Sequence, residues 1–290
     1  MPQVEVFFEA AATLGEGPRW DHRTNELHWV DIERGEIHRL CADTSEHRVV
    51  TVGQSVGAAV PRRNDNGWIA GVRDGIVLLD GDGVVERSVA VDDARPSHRM
   101  NDGACDVAGR FWAGTMNEEA GPASDALFCI EPDLAVATVV SQVGLSNGLG
   151  WSPDNSTMYR VDTAARTLFC CEYLVDTGER GPERPLVVVD EADGVPDGIA
   201  VDASGCIWIA LWDGWALRRY TSEGKLDAVL TVPVARPTSC VFGGADYRTM
   251  FVTTARTGLA DDELKQQPWA GHVLSYEVDE PGLPTNFFAA

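Results

Sequence analysis

Four residues carry the chemistry open to this chain: Glu16, Asn101, Asn147 and Asp197. Each stands 11 to 13 positions before a short apolar core, and the same slot recurs at Val56 and Thr238. Two carboxylates and two amides brought to one point would suit a hard divalent cation such as Ca²⁺, Mg²⁺ or Mn²⁺ better than the Cys/His set of a zinc site. Glu16 and Asp197 would neutralise the charge, and Asn147 would offer a carbonyl oxygen. The local contexts are alike, with glycine after the polar residue or pair in Gly15-Glu16-Gly17-Pro18, Asn101-Asp102-Gly103, Ser146-Asn147-Gly148 and Pro196-Asp197-Gly198. Glycine lets backbone approach closely. A single Asn-Gly or Asp-Gly pair is ordinary turn chemistry. Repetition in register, with Glu16 included, favours a ring of donors.

Such a ring needs elements that bring distant residues together. Strand-like cores stand around Trp29, Ile69, Trp112, Tyr159, Trp208 and Phe251, at intervals of 40, 43, 47, 49 and 43 residues. A turn precedes each core, as in Asn64-Asp65-Asn66-Gly67 and Ala108-Gly109-Arg110, and most are followed by a second turn and another strand. Six units of about four short strands predict an all-β chain folded as a six-bladed β-propeller, one domain over residues 1–290, with the metal site in its central channel. Equivalent positions on the innermost strands then face one another across the channel mouth. The run Val4-Glu5-Val6-Phe7-Phe8 precedes the first unit and is expected to supply the outer strand of the last blade, closing the ring. Only Asp261 to Gln267 reads as a helical turn or two.

Composition narrows the partners. The chain has 290 residues and a net charge of −22, which argues against nucleic acid or an anionic membrane surface. No apolar run approaches the roughly 20 residues of a membrane span. The N-terminus has no signal-peptide pattern. Seven cysteines, without a Cys-x-x-Cys pair, read as reduced, buried thiols of a cytoplasmic protein. No Gly-x-Ser-x-Gly elbow supports a serine hydrolase. Of the six histidines only His98 neighbours the polar cluster, where a rim or turn role is expected. Trp212 and Trp215 are candidates for the pocket mouth. Nothing in the sequence sets an oligomeric state.

At these residues the sequence resembles the SMP-30/gluconolactonase/regucalcin-like sugar lactonases. The resemblance runs over nearly the whole chain. It is carried by Leu14-Gly15-Glu16-Gly17-Pro18, Arg99-Met100-Asn101-Asp102-Gly103, Gly109-Arg110-Phe111-Trp112-Ala113-Gly114-Thr115-Met116, Ser146-Asn147-Gly148-Leu149, Pro196-Asp197-Gly198, Phe242-Gly243-Gly244 and Thr253-Thr254-Ala255-Arg256. It implies a hydrolase that opens a small-molecule sugar lactone with one divalent metal (Ca, Mg, Mn or Zn) on the propeller axis. It further implies Glu16, Asn147 and Asp197 as metal ligands, Asp197 also as catalytic acid/base, and Arg99, Asn101 and Glu119 as contacts to substrate hydroxyls. Glu118 is the alternative to Glu119. Asn155, Arg160 and His272 depart from the family pattern, and Arg160 would alter substrate choice if it pointed inward. Two rival readings remain open: another metal-dependent esterase on the same ring, and a non-catalytic Ca²⁺-binding regulatory propeller.

Overall fold

In the computed structural model, which describes residues 4–91, 97–119 and 123–290, each sequence unit becomes one antiparallel meander. Blade 1 runs Gly15–Asp21, Glu26–Asp31, Glu36–Cys41 and His47–Thr51. Blades 2 to 5 begin with Val56–Pro61, His98–Cys105, Ser146–Trp151 and Val195–Val201. Blade 6 begins with Pro237–Gly243, continues through Thr249–Thr254 and Val273–Glu277, and takes Val4–Phe8 as its outermost strand. There Val4 lies opposite Tyr276 and Val6 opposite Leu274. The ring is therefore closed by the two ends of the chain, as the N-terminal strand pattern predicts, and blade 6 gains its fourth strand. First strands of successive blades pack on one another, so they form the wall of the axial channel.

The strand cores named from sequence are all second strands, and their aromatic residues fill the space between blades. Trp20, Trp29, Trp68 and Trp112 are fully buried. Trp112 packs edge-on against Trp151 and Tyr173, joining blades 3 and 4. Blade 4 departs from the expected four strands: Glu179–Arg180 adds a short ladder to the end of Thr167–Leu174, whose other residues pair with the outer strand Arg184–Val188. The helical turn expected near Asp261 spans Asp261–Gln266, with Glu263 accepting a hydrogen bond from the Ala260 amide at 2.8 Å. Among the described residues no helix is long and apolar enough to cross a membrane.

An acidic residue repeats where inner strands turn into second strands. Asp106 accepts from the Arg110 amide at 2.9 Å and the Trp112 indole at 3.3 Å. Asp202 accepts from the Cys206 amide at 3.0 Å and the Trp208 indole at 3.1 Å. Asp21 accepts from the Arg23 amide and guanidinium, both at 2.9 Å. Each carboxylate replaces the turn's missing backbone acceptors, and so part of the chain's acidity is structural. Beyond these turns the C-terminal segment crosses that end of the channel. Thr285 Oγ1 accepts from the Trp20 amide at 3.2 Å, Asn286 donates to Cys105 O at 3.2 Å, and Phe288, fully buried, donates its amide to Pro61 O at 3.1 Å. The cavity left at this end, about 340 Å³, is lined by Cys105, Thr285 and Asn286 and by Arg19.

One irregularity recurs near the opposite end. The pairing of every inner strand with its second strand slips, between Glu16 and Arg19, Val56 and Ala58, Met100 and Gly103, Ser146 and Leu149, Pro196 and Ile199, and Pro237 and Ser239. Such bulges bend a strand and re-aim a side chain. Here each falls on or beside the slot of the sequence repeat.

Candidate functional site

The bulged segments of blades 1, 3, 4 and 5 meet around a cavity of about 480 Å³, lined by Glu16, Arg99, Asn101, Asn147 and Asp197 among others. The four donors separated by up to 181 positions in sequence are thus gathered at one channel mouth. All are buried, at 5 to 8 % exposure. Glycines make this convergence possible. A Cβ on Gly148 would meet Asp197 O at 2.8 Å, and one on Gly198 would meet Ser239 Cβ at 2.4 Å, so each inner strand lies against the next blade only where the side chain is missing.

Electrostatically the mouth is unbalanced. Burial holds the Glu16 carboxyl well above its ordinary pKa, and the nearby charges of Asp197 and Asp102 add to the shift. Asp197 is raised well above its ordinary value by burial and by Asp102. Asp102 is itself raised by burial, although Arg19 lies 3.7 Å away and the Gly103 amide donates to it at 2.7 Å. Three buried carboxyl groups therefore share a space containing little compensating charge. Burial also lowers the pKa of Arg99 from its ordinary value.

The amide of Asn147 shows what the space is arranged to accept. Its Nδ2 donates to Asp197 Oδ1 and, at 3.1 Å, to Thr163 Oγ1. Its Oδ1 is buried and has no hydrogen-bond partner. An orphaned carbonyl oxygen on the same cavity as two carboxyls that resist ionisation is a donor set that fits a divalent cation: the ion would take up the amide oxygen and offset the repulsion between Glu16 and Asp197. Among the described residues no three His, Cys, Asp or Glu side chains gather as a ready-made metal cage. The set is two carboxylates completed by an amide.

The remaining sequence candidates divide. Asn101 lines the cavity, but its Nδ2 donates to Ser146 O at 3.0 Å and its Oδ1 accepts from Arg99 Nη1 at 2.9 Å. Arg99 also donates to Met100 O at 3.0 Å and contacts Met116 Sδ at 3.2 Å. Glu118, not Glu119, lines the cavity, 3.6 Å from Arg99 Nε and 2.8 Å from Arg73. The backbone explains the exchange: the Glu119 amide turns back to donate to Asn117 Oδ1 at 3.0 Å, and its exposed side chain is not part of the lining. His98 does not line the cavity; its ring nitrogens lie 3.2 Å from Ser97 Oγ and 3.1 Å from Ser124 Oγ. Arg160 is taken up by Glu183 at 2.8 Å and by the face of Phe169, so it does not reach the mouth. Trp212 lines the cavity, whereas Trp215 is 45 % exposed outside it. Asn155 adopts the left-handed conformation, φ 58°, that its usual glycine would take.

Sequence reasoning missed Asp102 as a channel carboxylate, although it adjoins Asn101. It also missed Glu33, Thr163 and Thr257, which lie in loops beyond the second strands and line the cavity. Thr257 donates to Glu33 at 2.6 Å, tying the rim of blade 6 to blade 1.

With this geometry established, similarity to known proteins is informative. Regucalcin of Xenopus laevis is 33 % identical over 98 % of this chain and 98 % of its own. The Bacillus subtilis protein YvrE, named as a candidate sugar lactone lactonase, is 31 % identical over 97 % of both chains. The crystal structure of a calcium-binding protein, regucalcin, from Agrobacterium tumefaciens superposes with a TM-score of 0.94 at 26 % identity, covering 100 % of this chain and 98 % of that one. The family model described as SMP-30/Gluconolactonase/LRE-like region matches residues 14–256, and the chain belongs to that family.

Proposed function

We propose that this protein hydrolyses a lactone of the sugar (aldono-) lactone class to the open acid, using a divalent metal held by Glu16, Asn147 and Asp197. The observation that carries the reading is the unpartnered Asn147 Oδ1 beside two buried carboxyls. A cation held by this set supplies Lewis acidity toward the ester carbonyl. Asp197, at the edge of the cavity, accepts the proton of the attacking water. The water oxygen bonds to the acyl carbon, the bond from that carbon to the ring oxygen breaks, and the proton passes to the ring oxygen as it leaves. Burial raises the proton affinity of Asp197, which suits a group that must take a proton and return it. Arg99 keeps its charge over the cavity and favours the negative charge that develops on the carbonyl oxygen. Asn101 fixes the Arg99 guanidinium, and Glu118 is the carboxylate available to a substrate hydroxyl on that side.

The test is hydrolysis of gluconolactone, xylonolactone, arabinonolactone and galactonolactone followed with a pH indicator. Metal-stripped protein is assayed with and without Mg²⁺, Ca²⁺, Mn²⁺ and Zn²⁺, beside Asp197→Ala. Turnover restored by metal and lost in the variant supports the reading. Folded, metal-binding protein that opens no lactone would overturn it in favour of a Ca²⁺-binding regulator.

A further inference from the structure

A second tier of side chains stands over the donors. Two positions before each donor, near where its inner strand begins, a further side chain lines the same cavity. These positions hold Leu14 before Glu16, Arg99 before Asn101, Leu145 before Asn147 and Val195 before Asp197, and all four line the cavity. The tier is therefore lopsided. Blade 3 contributes a cation, flanked by Met116 and Glu118. Blades 1, 4 and 5 contribute branched aliphatic groups, extended by Ile32 and Trp212.

We propose that the substrate is a lactone bearing an apolar arm, an alkyl or aryl substituent on its ring, which seats against Leu14, Ile32, Leu145, Val195 and Trp212 while the ester carbonyl lies over the donors. This rests on the metal-assisted lactone opening proposed above and departs from that reading in the substrate, a ring with an apolar arm in place of a polyol.

Four points support it. A hydroxyl facing those five side chains would give up its water partners and find none in return. The polar groups elsewhere on the wall are already engaged: Thr163 donates to Pro196 O at 2.9 Å, Thr257 to Glu33 at 2.6 Å, and Asn101 to Ser146 O at 3.0 Å. Few donors are left for a polyol. The Trp212 ring is also held in place as a platform. The Arg236 guanidinium lies 4.8 Å from its centroid, fixed in turn by Asp213 at 2.7 Å and by the carbonyl of Thr257. A volume of about 480 Å³ falls within the range of pockets that bury ligands larger than a bare sugar ring.

The experiment compares δ-lactones sharing one ring: δ-valerolactone without an arm, δ-decalactone with a pentyl arm, and glucono-δ-lactone with hydroxyls. All are assayed on the full chain replenished with metal. The expected kcat/KM for δ-decalactone exceeds that for δ-valerolactone by about tenfold or more, since each methylene received by an apolar wall is discriminated. That ratio falls by about threefold or more in Trp212→Ala and in Val195→Thr, which puts a hydroxyl on the apolar wall at nearly the same shape, with melting temperature measured on both to exclude a folding defect. A ratio near one alongside rapid opening of gluconolactone overturns the apolar arm and leaves the lactonase reading standing. A high ratio untouched by both variants overturns the assignment of the arm to this wall. Failure to open any of the lactones removes the lactonase reading and the inference with it.

Discussion

The two ends of the axial channel use the same residue type in opposite ways. At the end crossed by the C-terminal segment, Asp106 and Asp202 are 0 % exposed yet saturated with donors. Asp202 takes the Ser204 and Cys206 amides, the Trp208 indole and the Arg219 guanidinium at 2.7 to 3.1 Å. Asp106 takes the Arg110 amide and guanidinium, the Trp112 indole and the Tyr173 hydroxyl. At the open end Glu16 accepts one hydrogen bond, from the Gly17 amide at 2.8 Å, and Asp197 leans on a neutral amide. A buried charge is tolerated only when paired or hydrogen-bonded. Carboxylates whose partners lie within the chain hold the fold together. Those with few partners, Glu16 and Asp197, line the cavity of the open end.

The strongest way to break this contrast is to neutralise one group at the open end. Asp197→Asn should lower kcat/KM about 10³- to 10⁴-fold, the scale of losing an acid/base group. In metal-free protein its melting temperature should equal or exceed that of the wild type, because the buried repulsion is relieved. Loss of stability in chelator would put Asp197 among the structural carboxylates instead. The reverse substitution comes next in size. Asp202→Ala leaves Arg219 and three turn donors without their acceptor, and should cost about 3 kcal/mol or more of unfolding free energy in a denaturant titration. Its kcat per folded molecule should match the wild type, since Asp202 lies at the far end from the donors.

The repeat made most of this architecture readable. Six apolar cores at nearly regular intervals, each introduced by a turn, specify blades because a lone meander cannot bury both faces. Val4–Phe8 could be assigned to the last blade because an open ring needs a closing strand. The convergence of Glu16, Asn101, Asn147 and Asp197 on one cavity was legible for the same reason: one slot, counted back from each core, collects them. What lay outside the period was not legible. Choosing between Glu118 and Glu119 depends on where the chain turns after Asn117, and no spacing rule reaches past a strand end. Glu33, Thr163 and Thr257 sit in loops of unequal length. The apolar tier of Leu14, Leu145 and Val195 was within reach, since it obeys the same register two positions earlier, but apolar residues in strands read first as core.

Backbone proximity permits a subtler perturbation, with every donor retained. Gly148→Ala would drive a methyl into Asp197 O and the Ile199 amide, both at 2.8 Å. Blade 5 must then shift away from blade 4, separating Asp197 from Asn147. An expected loss of about ten- to hundredfold in kcat, with metal affinity weakened in parallel, follows from displacing a reacting group by a fraction of an ångström to about one ångström. Unchanged kinetics with altered stability would show that the close approach serves packing alone.

The smallest expected effect lies at the far end and is read through pH. Burial alone would raise the Asp21 carboxyl, but the Arg23 guanidinium and amide outweigh it and hold the group below its ordinary value of 3.8. The unfolded chain therefore binds this proton more readily than the folded one. The stabilisation is fully present above that value and is lost as the pH falls through the lower, folded one. Arg23→Ala should cost about 1 kcal/mol or less at about pH 6. The gap to the wild type should shrink as unfolding is measured toward about pH 3. Arg23 also lies 4.1 Å over the Phe287 ring and donates to Arg62 O at 2.9 Å. A gap that stays constant across this pH range would assign the loss to those contacts with Phe287 and Arg62, and the Asp21 pair would then contribute nothing measurable to the saturated end of the channel.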